Sequence, residues 1–163
     1  MRVKKIIAPI LLLAWMGLIF YMSSQQGGES SSLSNKIVSK LFSLFPFLGD
    51  PDDTEAEIFL TFSLIVRKTA HFTEYLILAV LAFFCISSYY KHMGAYIISW
   101  LFATVYAITD EFHQSFVAGR VAAAFDVRVD SAGALLGVIL CYLVMHIGRK
   151  RKRGHAGGNT DEF

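Results

Sequence analysis

Two short stretches gather side chains whose types and spacing could do chemistry. The first is Arg67-Lys68-Thr69-Ala70-His71-Phe72-Thr73-Glu74-Tyr75, and the second runs from Asp110-Glu111-Phe112-His113-Gln114 through Arg120 to Asp126 and Asp130. Helix positions three or four apart share a face. His71 and Glu74 are therefore expected to point the same way, as are Asp110, His113 and Gln114, and Asp126 pairs with Asp130 if their helix starts early enough. A histidine beside a carboxylate is an acid–base pair, because imidazole titrates near working pH. Arg120 and Lys68 could hold an anion, arginine gripping phosphate through two parallel hydrogen bonds. Glu74, set about a turn deeper than His71 in a dry setting, either has its pKa raised or calls for a cationic partner, with Arg120 first and Lys68 or Arg67 next.

Three readings fit. In the first, His71 or His113 is a general base, and His71, Glu74, Asp110, Glu111, His113 and Gln114 form the catalytic set. Lys68, Tyr75, Arg120, Asp126 and Asp130 then bind the ligand. In the second, His-x-x-Glu on one helix facing Asp-x-x-His on another holds a metal, as carboxylate and histidine pairs do in helical bundles; however, the usual Glu-x-x-His order is missing and no third ligand is fixed. In the third, the polar groups only bind helices together, at about 0.6 kcal/mol per contact. The residue types name no cofactor and assign no metal. Lone His92, His146 and His155 carry no role, and an enzyme and a non-enzymatic binding module both remain open.

The elements that position these residues are apolar. The chain has 163 residues, 55% of them hydrophobic, and a net charge of +2; its mean hydropathy is +0.50. One membrane domain is the reading, and nucleic acid is excluded as a partner because the basic residues gather at the chain ends rather than along one face. Cys85 and Cys141 lie far apart in apolar runs and read as inert buried thiols. The predicted fold is an all-α membrane protein, a four-transmembrane-helix bundle with spans at about 6–22, 70–90, 94–109 and 131–147. The first is a retained anchor rather than a signal peptide, since Tyr21-Met22-Ser23-Ser24-Gln25 offers no convincing cleavage site.

Between spans one and two, Ser23 to Ser34 reads as a loop. Leu33, Ile37, Val38, Leu41, Phe42 and Phe45 then recur at helical spacing and predict an extracytoplasmic amphipathic helix, capped by Ser34 or Asn35 and ended by Pro46. The acidic run Asp50, Asp52, Asp53, Glu55 and Glu57 lacks the ordered spacing of a calcium loop and reads as a solvated turn. Ile58 to Val66 opens a long helix that projects above the bilayer into span two. Gly133-x-x-x-Gly137 gives span four a smooth face. Residues 1–147 form the membrane domain and 148–163 a basic, disordered tail.

Arg2, Lys4, Lys5, Lys91 and Arg149 to Arg153 fall on one side of such a bundle. The positive-inside rule makes that side cytoplasmic, with both termini on it, and turns both polar stretches outward.

Arg67-Lys68-x-Ala70-His71-Phe72-x-Glu74-Tyr75, then Asp110-Glu111-Phe112-His113-Gln114-x-Phe116, then Gly119-Arg120 and Asp126-Val127-x-x-Asp130-x-x-Gly133, resemble the motifs of the VanZ-like family of small bacterial membrane proteins. Tyr21-Met22-Ser23-Ser24-Gln25 resembles the family too, and the likeness covers about residues 6–147. Val121-Ala122-Ala123-Ala124 departs from it, since more polar or glycine-containing sequence is expected there. The resemblance implies a multi-pass protein of the bacterial cytoplasmic membrane, a link to resistance against the glycopeptide antibiotic teicoplanin, and functional roles for His71, Glu74, Asp110, Glu111, His113, Gln114, Arg120 and Asp126. It supplies no reaction. The expected partner is a membrane lipid or lipid-linked cell-envelope component, a lipid phosphate or lipid-linked glycan.

Overall fold

The computed structural model describes residues 2–45, 56–90, 93–120 and 123–157. Within them the chain forms five helices and no strand: α1 (Arg2–Ser23), α2 (Gly27–Leu44), α3 (Ala56–Ser87), α4 (Gly94–Gln114) and α5 (Ala124–Gly157). The all-α expectation holds. Pro46, the acidic residues Asp50 to Glu55, Lys91, His92 and the departure at Val121-Ala122 lie outside the described residues.

Three helices, over Lys5–Ser23, Glu57–Ser87 and Ala124–Lys150, are long and apolar enough to cross a membrane. α4 has 21 residues, about 30 Å at 1.5 Å per residue, but its polar last turn carries Asp110, Glu111 and Gln114. Large apolar side chains such as Ile6, Leu13, Leu64, Phe84, Ile97, Val105 and Val144 are exposed around the outside. Hydrocarbon tolerates such a surface, whereas water does not.

The interior is built for close approach. On α4, Ala95, Ser99, Ala103 and Ala107 are buried at every fourth position and make a flat stripe. On α5, a Cβ at Gly133 would run into the backbone carbonyl of Phe72, and one at Gly137 into that of Leu76. α3 and α5 therefore meet backbone to backbone, as small-xxx-small faces allow. Tyr75, Leu78, Ala79 and Ala82 of α3 join Ala103 and Ala107 of α4, Ala134 and Val138 of α5, and Leu12 and Ile19 of α1 in one core. Side chains tie the helices at depth. The Tyr106 hydroxyl donates to the Met16 carbonyl at 2.8 Å, Trp15 Nε1 to the Glu74 carbonyl at 3.0 Å, and Trp100 Nε1 to the Ser131 carbonyl at 3.2 Å.

α2 begins well before Ser34. The serines that suggest a loop are satisfied inside the helix: Ser31 Oγ donates to the Gly27 carbonyl and Ser34 Oγ to the Ser30 carbonyl. Gly27 can start the helix there because it rests on Gly119, whose φ of 75° suits glycine. The Gly27 N–H donates to the Ala118 carbonyl at 3.1 Å. Val38 and Phe42 of α2 are buried, with Phe42 5.4 Å from Phe62 of α3 in an edge-on ring contact. Leu33, Ile37, Leu41 and Phe45 of the same apolar arc are exposed. Among the helices α2 packs on α3 alone, on the stretch around Phe59, Phe62 and Ser63. At the far end α5 continues helical through Gly157, past the expected end of span four.

Candidate functional site

The two polar stretches meet at one end of the bundle. The last turn of α4, the start of α5 and the segment after α1 all close on the middle of α3, but each residue goes to a distinct place.

Arg120 is a clasp. Its Nε donates to the Gln25 carbonyl at 3.1 Å, Nη2 to the Met22 carbonyl at 3.2 Å, and Nη1 to Gln114 Oε1 at 2.9 Å. Two of these acceptors lie at and just beyond the C-terminal end of α1, where helix carbonyls lack intrahelical partners and the helix dipole favours a cation. Gln114 passes the contact on, its Nε2 donating to Asp110 Oδ2 at 3.0 Å. Burial, with Arg67 nearby, pulls the Arg120 pKa below its ordinary value, and guanidinium stays charged regardless. The expected Glu74–Arg120 ion pair does not form, because the guanidinium is already engaged by these three acceptors. The group facing Glu74 is instead His71, Nδ1 to Oε2 at 3.7 Å, an ion pair only when the imidazole is protonated.

Lys68 pairs with Asp126, across from α3 to the first turn of α5, and stands 5.2 Å from the Phe125 ring centroid. Both partners are more than one third exposed, so their attraction is screened. A double-mutant cycle on Lys68→Met and Asp126→Asn, read by thermal unfolding in detergent, is expected to give a coupling of at most about 1 kcal/mol that shrinks as salt is added.

Glu111 and His113 turn away from His71. Glu111 Oε1 accepts the Ala123 N–H at 2.5 Å and so caps the start of α5 with a carboxylate. The His113 ring lies on Phe20 of α1, with centroids 4.6 Å apart. Tyr75, Asp110 and Asp130 are buried in the bundle beneath the cluster.

What remains open is a cleft under α2, lined by the polar side chains of Arg67, His71, Glu74 and Arg120 and by the apolar side chains of Leu33, Ile37 and Val66. Its volume is about 70 Å³, a few times what one water molecule needs. His71 and Arg67 also border a narrow crevice with Lys68, Asp126 and Asp130, so the imidazole is part of the wall between two openings. Arg67 is the residue that sequence reasoning undervalued. Its Nη2 donates to Ser31 Oγ at 2.6 Å, while its buried Nε has no hydrogen-bond partner. The usable signal was Ser31: once α2 starts at Gly27, that hydroxyl lies over the middle of α3.

The chemistry on offer is anion binding by Arg67 beside a His71–Glu74 acid–base pair. Glu74 Oε2 lies 3.7 Å from Nδ1, too far for a hydrogen bond, so neither ring nitrogen is committed and either can take or give a proton. Among the described residues no group of three or more His, Cys, Asp or Glu is placed to hold a metal ion.

No curated protein and no solved structure matches the chain. The sequence model of the VanZ/LLP1 family matches residues 9–145, a range that contains α2, α3 and α4, most of α1 and α5, and every residue of the cluster. With three helices able to cross a membrane and a match over most of its length, the chain is a membrane protein of the VanZ/LLP1 family.

Proposed function

We propose that the cleft binds the phosphate of a cell-envelope lipid at Arg67 and that the His71–Glu74 pair then acts on it by acid–base chemistry. One observation carries this reading: Arg67, whose buried Nε has no hydrogen-bond partner, lines the same cleft as a histidine–carboxylate pair and several apolar side chains. Burying a donor unpaired costs roughly 1–3 kcal/mol, and a phosphate oxygen would remove that cost. The apolar side chains suit the first carbons of a lipid chain. The small volume favours a phosphoryl group inside the cleft over a sugar, so the glycan of a lipid-linked glycan would stay outside. Arg120 supports this site by holding α1, α4 and the segment after α4 together.

In the proposed topology α1, α3, α4 and α5 all span the bacterial cytoplasmic membrane. The basic residues that the sequence gathers at the start of α1 and the end of α5 support a cytoplasmic side there by the positive-inside rule, and in this reading the cleft faces outward. A change in the envelope lipid there would alter susceptibility to teicoplanin, which acts at the cell surface.

A second reading, in which the cluster binds without chemistry or only packs helices, has one observation in its favour: Arg120 directs three hydrogen bonds to acceptors on and beyond α1 and on α4. Lipid analysis of protein purified in mild detergent, together with a cell-surface assay, separates the readings. Wild type is expected to carry an anionic lipid phosphate that Arg67→Gln loses by at least tenfold. His71→Gln and Glu74→Gln are expected to keep the lipid and lose the cellular effect, falling by roughly 100-fold or more in any turnover assay. Retained activity in both would leave binding alone, and loss of folded protein in all three would leave helix packing.

A further inference from the structure

At the end of the bundle away from the cleft, a second cavity opens between α3, α4 and α5. Ser87, which lines it, is 16 residue steps along α3 from His71, or about 24 Å. The cavity has a volume of about 310 Å³, within the range of sites that take small organic ligands. Four rings run in contact across the three helices. Phe83 of α3 stacks on Tyr96 of α4 with centroids 4.5 Å apart, Tyr96 meets Tyr142 of α5 edge-on at 5.7 Å, and Tyr142 stacks on His146 at 5.7 Å. All four line the cavity. Because each ring packs on the next, closing the space would break these contacts, so the opening is built into the packing.

Charge chooses the occupant. Tyr142, His146 and Arg149 recur at positions i, i+4 and i+7 of α5, on one face; all three are exposed, and all three line the cavity. The ion pairs among the described residues are Lys68–Asp126 and, when His71 is protonated, His71–Glu74. Arg149 is therefore not neutralised by a carboxylate there, and no Asp or Glu is among the described residues that line the cavity. An aromatic lining by itself suits a quaternary ammonium. A guanidinium in the same lining repels one and attracts a phosphate. Met145 of the lining is exposed together with Val144 and Ile147, a surface suited to hydrocarbon rather than water. A ligand that reaches this cavity meets an apolar surface and a cation together.

We infer that this cavity binds an anionic phospholipid, with its phosphodiester at Arg149 and the first carbons of its chains against the aromatic rings. The site is separate from the cleft and does not depend on what the cleft binds. Basic pockets between membrane helices hold anionic headgroups in this way, and a lipid fixed here would tie together the neighbouring ends of α3, α4 and α5.

The test uses the full chain carrying Arg67→Gln, which removes the phosphate ligand proposed for the cleft, delipidated in mild detergent. Phosphatidylglycerol and phosphatidylcholine are titrated in separately as mixed micelles, with bound lipid counted by native mass spectrometry and Tm followed alongside. One phosphatidylglycerol is expected to bind and to raise Tm by several degrees, with phosphatidylcholine weaker by about tenfold. Arg149→Gln should raise the half-saturating phosphatidylglycerol concentration roughly tenfold. Lys150→Gln makes the same charge change on a neighbour that does not line the cavity, and should raise it less than about twofold. Equal losses in the two variants would leave only diffuse attraction to the basic end of α5 and overturn the site, as would equal binding of the two lipids. Inorganic phosphate at the same concentration should leave Tm unchanged; stabilisation by phosphate alone would assign the cavity to a free anion and overturn the lipid as its occupant. Arg149 and Lys150 are both exposed, so both variants should fold. If Arg67→Gln is unstable, Arg149→Gln and Lys150→Gln are compared on the wild-type chain.

Discussion

Arg120→Ala is expected to destabilise the protein by about 3 kcal/mol and to lower its Tm in detergent accordingly. Hydrogen bonds to a charged group are worth about 1.5–3 kcal/mol each, and this guanidinium makes three, to Gln25, Met22 and Gln114. The sum is discounted because Arg120 is partly exposed. The loss has two directions. The end of α1 comes away from the turn after α4, and Gln114, with Asp110 behind it, loses its outer anchor. Arg120→Lys keeps the charge but reaches one acceptor at a time, so it should recover less than half of the lost stability. Unfolding followed by tryptophan fluorescence is a direct readout, since Trp15 of α1 is bonded to the Glu74 carbonyl. An Arg120→Ala protein as stable as wild type would show that the clasp contributes nothing.

Gly133→Leu should be the most damaging single change in the apolar part of the bundle. A Cβ at that position meets the Phe72 carbonyl, which is backbone and cannot rotate away. Overpacking typically costs 1–3 kcal/mol, and the upper end of about 3 kcal/mol or more applies where the obstacle is main chain. Because Phe72 follows His71 directly, pushing α5 away from α3 also disturbs the cleft, so the variant is expected to lose bound lipid as well as monodisperse protein. Gly148→Leu is the matched control. A Cβ there meets nothing within 4 Å, and no change in yield or Tm is expected.

Much of this arrangement was legible in the sequence because the bilayer is a severe solvent. Ionisable residues set into apolar runs must sit at an end or find partners, so His71, Glu74 and Asp110 declared themselves, and Gly133-x-x-x-Gly137 declared a close helix pair. What stayed hidden depends on rotation and partner choice. Helical spacing puts His113 and Gln114 on opposite flanks of Asp110, 60° one way and 40° the other at 100° per residue. Only the neighbouring helices decide that Gln114 turns to Arg120 while His113 turns to Phe20. Lys68 and Arg67 are adjacent, and spacing alone cannot tell which one Asp126 takes and which one Ser31 takes. The early start of α2 was masked because serine and glycine favour loops in isolation. Here serine hydroxyls bonded back to helix carbonyls, and a glycine fitted against Gly119, reverse that preference.

The register of α3 has a consequence for the surrounding lipid. From Ser87, near the aromatic pair Tyr89-Tyr90, up to His71 is 16 residue steps, or about 24 Å of helix. The hydrocarbon core of a bilayer is about 30 Å thick. With Ser87 at one edge of that core, as the proposed topology has it, the imidazole would sit several ångströms below the plane in which lipid phosphates normally lie, while the same helix would run on beyond that plane beneath α2. On the same count Arg67 is 20 steps, or about 30 Å, from Ser87, level with the edge of the core, so a phosphate drawn from Arg67 on towards His71 would have to sink below its neighbours and the leaflet would have to dimple to meet it. The protein would thus select a lipid by how readily its headgroup submerges, a mechanical criterion that favours small, lightly hydrated headgroups over bulky ones.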